Sequence, residues 1–207
     1  MLALVITAFI LTGCYKEDSS SSNNPSSKTS GFYAPEEFIE NPSVKNAVRE
    51  SGIPVNNGDT PPALAGTYLS NGSITNVSSL LNEMLGVAIQ SEFILSKQTA
   101  SGRIELEERI GGIRATGIGG YITGANGNFT IYIESYQSGS EAGLPSGVSV
   151  NVVLLMSGTK LNNGDLSNVQ GLTIYTNASS SNNAYDVRNV IGAWYKWKAD
   201  FSLQTEN

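Results

Sequence analysis

QSEFILSKQTASGRIELEERIGGIRATGIGGYITGANGNFTIYIESY, residues 90–136, alternates apolar and polar side chains in four runs parted by Ser101-Gly102, Gly111-Gly112 and Asn126-Gly127. Period-two alternation marks strands with one buried face. The Gly-containing pairs supply the positive φ that tight hairpins need. The runs Gln90 to Thr99, Arg103 to Ile110, Ile113 to Thr123 and Asn128 to Tyr136 therefore predict an antiparallel meander.

Further strands are expected on both sides: Leu64 to Ser70 before it, and Val148 to Ser157, Gln170 to Asn177 and Val190 to Leu203 after it. In the sixth strand, Val148, Val150, Val152, Leu154 and Met156 share a face. In the last, Ile191, Ala193, Tyr195, Trp197, Ala199 and Phe201 share one, opposite Lys196, Lys198 and Asp200. Eight strands joined mainly by hairpins can curl and close, which removes the edges an open sheet exposes. The expected fold is mainly β: an eight-stranded antiparallel meander closed into a barrel, with short N-terminal helices. Gly117, Gly119 and Gly120 would let the fourth strand coil sharply or admit large side chains from opposite. Closure should pair the last strand with the first and bring Tyr68, Tyr195 and Trp197 together as the lining of an interior cavity. Trp194, one position off, should point outward, where alanine would change stability by less than about 1 kcal/mol.

Ahead of the barrel, Pro35 to Glu40 and Pro42 to Ser51 read as two short helical segments. Asn41 is placed to cap the second, Pro42 to begin it and Gly52 to close it. Tyr15 to Ser30 is rich in Ser, Asn and Lys with little to bury, the composition of a disordered tether. Sixteen such residues would span roughly 20 to 24 Å on average. The expected organisation is a signal peptide over 1–13, lipidated cysteine and tether over 14–30, a helical segment packed on the domain over 31–63, and the barrel over 64–207.

Composition narrows the chemistry. Of the 207 residues none is histidine and Cys14 is the lone cysteine. The usual neutral-pH base, the commonest metal ligand and any thiolate in the barrel domain are thus missing. The 12 basic residues are scattered within a net charge of -6, so no basic stripe suits a nucleic acid.

The N-terminus carries an address. Leu2 to Leu11, LALVITAFIL, is too short to span a bilayer as a helix and matches a secretory apolar region. Leu11-Thr12-Gly13-Cys14 resembles the lipobox of bacterial lipoproteins, which implies diacylglycerol on Cys14 and cleavage before it. The segment ahead of the apolar run has no Lys or Arg, consistent with a natural start upstream of Met1. Tyr15 follows the cysteine where an aspartate would direct inner-membrane retention in enterobacteria, so resemblance implies the outer membrane. Lys16-Glu17-Asp18 resembles the basic-plus-acidic export tag of surface lipoproteins; equally, it reads as a solvated charge cluster heading a linker.

Pro61-Pro62-Ala63-Leu64-Ala65-Gly66-Thr67-Tyr68, with Ser157-Gly158-Thr159 ending the sixth strand, resembles a group of outer-membrane lipoproteins of unassigned function. It is more distantly similar to calycin or lipocalin-like barrels. There a Gly-x-Trp triplet on the first strand plugs one end of the barrel, whereas Gly66-Thr67-Tyr68 carries Tyr in place of Trp.

Other candidate sites reduce to structure. Arg103, Glu105, Glu107 and Arg109 share a strand face opposite Ile104, Leu106 and Ile110, a solvated face with opposite charges two residues apart. Glu92, Glu134 and Glu141 could serve glycoside hydrolysis, but no spacing pairs them. Asn162-Asn163-Gly164-Asp165 lacks the remaining ligands of a calcium loop and reads as a turn. Trp194, Tyr132, Tyr136 and Tyr175 include outward aromatics that could stack on sugars or peptides, though outward aromatics on a closed barrel are more often partner surface or covered by the helices. The expectation is a non-enzymatic outer-membrane binding or accessory module without cofactor or metal. Its partners would be the membrane through Cys14 and a small molecule, a glycan or an outer-membrane protein. The alternative is a component docking on an outer-membrane complex; a glycan hydrolase comes third.

Overall fold

Eight antiparallel strands close into a barrel in the order of the chain, β1 to β8, with β8 returning to β1. The structure, a computed structural model, describes residues 40–110, 113–138, 147–181 and 190–204. The strands are β1 Gly66–Val77, β2 Ala88–Ser96, β3 Arg103–Ile110, β4 Ile113–Ala125, β5 Asn128–Ser138, β6 Val148–Lys160, β7 Leu166–Ser180 and β8 Trp194–Gln204. Turn chemistry fixes the β4–β5 hairpin: Asn126 (φ 53°) and Gly127 (φ 82°) both take positive φ, the backbone of a type I′ turn. The Gly111-Gly112 turn and the helical segment from Pro35 lie outside the described residues, apart from Glu40.

Two ends of the barrel differ. At the turn end lie the β2–β3, β4–β5 and β6–β7 connections. At the cap end β1 runs into a 3₁₀ segment, Ser79–Met84, whose Leu81 and Met84 join the interior core. Hydrogen bonds from Ser78 N to Trp194 O and from Trp194 N to Ser78 Oγ tie that segment to the start of β8.

An aromatic cluster occupies part of the lumen. Tyr68, Phe93, Phe129, Leu95, Trp197 and Phe201 belong to one buried cluster. Close approach explains Gly171, which pairs with Trp197 across β7 and β8: a Cβ there would fall 1.9 Å from the indole. Gly120 similarly leaves room for Ile133, 2.8 Å from a would-be Cβ. The β3–β4 register shifts between Ile104 and Leu106 in this glycine-rich stretch, as a bulge does.

A second core lies outside the barrel. Helix α1, Pro42–Ser51, begins at Asn41, whose Oδ1 accepts from Ser43 N at 2.9 Å, and ends at Gly52 in the left-handed region. Its Val44 and Ala47, with Ile53, pack on the outward side chains of β5 to β8, among them Tyr132, Leu155, Ile174 and Trp194. The chain then follows β4 and β5: Asn56 N donates to Thr130 Oγ1 at 2.8 Å and Thr123 Oγ1 donates to Asn56 O at 2.7 Å. This cover explains why β6 is buried on both faces from Val152 to Gly158.

Two expectations for the last strand need correction. Trp194 does point away from the lumen, but α1 covers it and only 5% of it is exposed, so it is not a tolerant surface position. Ile191 lies in the turn before β8 and is exposed, because β8 begins at Trp194 rather than Val190. Strand β1 runs on to Val77 beyond the expected Ser70 because Asn71-Gly72-Ser73 stays paired with both neighbours.

Candidate functional site

Three positions were expected to line one cavity: Tyr68, Tyr195 and Trp197. All are buried in the interior cluster, but their surroundings differ. Trp197 packs with Phe93 and Phe201 at ring-centroid separations of 6.1 and 6.2 Å. Tyr68 turns its hydroxyl to Leu64 O at 3.1 Å. Both are fixed by packing and hydrogen bonding within the wall.

Tyr195 sits elsewhere, in a polar patch on the interior wall toward the cap end. Alternation along β3 turns Ile104, Leu106 and Glu108 inward, and Glu108 is 6% exposed, the sole buried charged residue among those described. It stands beside Phe93 across the β2–β3 pair. Burial pushes its carboxyl from the ordinary 4.5 up to about 7, and the neighbouring Ser91 hydroxyl partly offsets this by favouring the anion. No Lys or Arg among the described residues forms an ion pair with Glu108.

Tyr195 faces this carboxyl. Burial raises its phenol well above the usual value, and Tyr175 and Glu108 add to the effect, while Thr173 works against it. Tyr175 also turns inward and joins the cluster, its hydroxyl pushed up to about 12 by burial although part of the side chain remains accessible. Register explains the grouping: Thr173 pairs with Tyr195 across β7 and β8, and Tyr175 follows two residues on, on the same face.

Two hydroxyls of the patch are left without a well-formed hydrogen bond. They are Ser91 Oγ and Thr173 Oγ1, both buried. The Ser91 backbone, by contrast, is served by Ser70, whose Oγ donates to Ser91 O at 3.0 Å and accepts from Ser91 N at 3.1 Å. The Ser91 hydroxyl nonetheless lies close enough to favour the Glu108 anion, and the Thr173 hydroxyl close enough to act on the Tyr195 phenol. Beside an unpaired carboxyl of raised pKa, they mark a place able to accept hydrogen bonds and positive charge.

The other candidates have internal roles. Arg109 donates to Glu107 at 2.7 Å and to Glu92 at 2.9 Å, and Lys97 pairs with Glu105 at 3.0 Å, so the outer face of β3 is a solvated ion-pair surface. Glu134 is exposed on β5. Asp165 closes its turn: its carboxylate accepts from Asn163 Nδ2 and from Leu203 N, and its own N–H donates to Asn163 Oδ1. A groove of about 350 Å³ at the turn end is lined in part by Asp59, Thr60, Gln98 and Thr99. Gln98 there is engaged with Leu64 N and Pro62 O, as a seam between segments requires. Tyr132 lies under α1 with Trp194, and Tyr136 is exposed. Cys14, Lys16, Glu17, Asp18 and Glu141 lie outside the described residues. No cluster of metal-ligating side chains occurs among the described residues.

No known protein family matches the chain, and neither does any curated protein or solved structure.

Proposed function

We propose that the chain is a lipid-anchored outer-membrane protein whose barrel acts as a non-enzymatic binding module, taking a small organic cation at the Glu108 patch. The observation that carries this reading is the buried carboxyl without a basic partner, with the Ser91 hydroxyl beside it and the Tyr195 phenol facing it. An alkylammonium group would supply the missing charge and donors, and tyrosine neighbours suit a cation. The anchor rests on Leu11-Thr12-Gly13-Cys14. Docking on an outer-membrane complex through outward aromatics is less well supported, because α1 covers Trp194 and Tyr132.

Calorimetric titration with primary and quaternary alkylammonium ions at pH 6 and pH 8 tests the binding. A cation favours ionised Glu108, so affinity should rise as pH passes about 7 and be lost in Glu108→Gln. Absence of binding by the whole series, or equal binding by Glu108→Gln, would reject the site. Anchoring is tested separately: Cys14→Ser should remove acyl label and move the protein from the membrane pellet to the soluble fraction. Replacing Lys16, Glu17 and Asp18 by alanine should lower protease access on intact cells without changing membrane content.

A further inference from the structure

The chain enters the barrel domain at one particular end. Helix α1 starts near the cap end, where a Cβ on Gly192 would lie 3.8 Å from Ser43 Oγ. From there it runs toward the middle of the barrel, bringing Ser51 O to Lys196 Nζ at 3.1 Å. Whatever precedes Asn41, including Cys14, is therefore joined to the domain at the cap end.

That same end carries exposed apolar side chains. In the 3₁₀ segment Leu81 and Met84 turn into the core, while Leu80 and the following Leu85 are each 59% exposed. Ile191, in the turn before β8, is exposed nearby, and Tyr136 is exposed close to the same end of β5. Val55, Leu69 and Leu161 are exposed elsewhere, whereas Leu80, Leu85 and Ile191 lie on two neighbouring connections tied together at one rim, a concentration that marks a surface meeting something other than water. Exposed Glu83 lies between the leucines, so the rim is amphipathic, as segments lying at a lipid headgroup boundary are.

We infer that the cap end faces the bilayer and that Leu80 and Leu85 enter its interface, the patch being a lipid-contact surface held down by the anchor. This rests on the proposed lipidation of Cys14. Tethering raises the local concentration of the rim at the membrane, so a contact too weak to bind freely becomes occupied. With a net charge of -6, the contact is apolar rather than electrostatic and should persist in high salt.

The lipidated full chain, reconstituted in phosphatidylcholine vesicles containing brominated lipid, provides the test. An environment-sensitive dye is placed on Leu80→Cys or, at the opposite end, on Asn162→Cys. The inference expects loss of fluorescence at position 80, none at 162, and no change with salt. Mass spectrometry of Cys14 separates the two levels: acylated Cys14 with no quenching at 80 overturns the orientation alone, whereas unmodified Cys14 overturns the anchor and this inference together. Shielding of the dye in a dimer without lipid quenching would assign the patch to a second copy of the chain and overturn it too. Should the dye disturb the 3₁₀ segment, unlabelled Leu80→Ser/Leu85→Ser compared with the parent decides. Protection of the cap-end backbone from hydrogen exchange by vesicles should be lost in that variant, and unchanged protection contradicts the inference.

Discussion

Glu108 shows how one residue sets a pH response. Its carboxyl titrates near 7 when folded and near 4.5 otherwise, so between those values the folded protein holds a proton that the unfolded chain releases. Stability from this group is complete below the lower value and declines as pH rises through the upper one, by up to about 3 kcal/mol. Urea midpoints should fall between pH 5 and pH 8 and do so much less in Glu108→Gln; identical slopes would exclude Glu108 as the cause. The alternation that turns Ile104 and Leu106 inward also turns Glu108 inward, so the position was legible. The acidic run Glu105-Leu106-Glu107-Glu108 reads as solvated, however, and the partners Ser91, Thr173 and Tyr195 come from distant strands. Trp197→Ala and Trp194→Ala should each cost about 3 to 5 kcal/mol, since both indoles are buried. Chemical denaturation that leaves Trp194→Ala within about 0.5 kcal/mol of the parent, the range of surface positions, would mean α1 does not cover it. Gly171→Ala forces the Trp197 ring aside and should cost about 1 to 3 kcal/mol, read the same way.

Helix α1 is the element whose removal reports on the outer core. Asn41→Ala deletes its cap and should cost about 1 kcal/mol in thermal or urea unfolding; an unchanged midpoint would show that the helix contributes little. Deleting the chain through Gly52 in a Trp197→Phe background should shift Trp194 emission to the red, and an unshifted spectrum would contradict burial under α1. The limits of this helix were legible because Asn41, Pro42 and Gly52 each act locally. That it covers Trp194 was not, because an outward aromatic looks alike whether water or a helix lies over it. The clue lay in Val152-Val153-Leu154-Leu155, an unbroken apolar run of the kind a strand buried on both faces shows. Alternation places the strands with hairpin turns closely, whereas it ends β1 seven residues early and makes β7 too short at both ends. Asn71-Gly72-Ser73 has turn composition, yet Gly72 is needed inside β1 because a Cβ would meet Lys198 O at 2.1 Å.

At the scale of the whole molecule, closure follows from eight alternating strands with no edge left unpaired, and this much the residue pattern carries. What fills the barrel is a property of register. Trp197 over Gly171 and the rings of Phe93 and Phe201 occupy space that the pattern alone assigns equally to side chains or to a cavity. The polar patch of Glu108, Thr173, Tyr175 and Tyr195 lies on the wall toward the cap end, and its character depends on Glu108 being an uncompensated carboxyl there. Site-specific ¹³C NMR of the Glu108 carboxyl, followed through a pH titration, measures this directly. The account predicts a midpoint near 7 that moves down when an alkylammonium ion is added; a midpoint in the ordinary carboxylate range, unmoved by the ion, would contradict it.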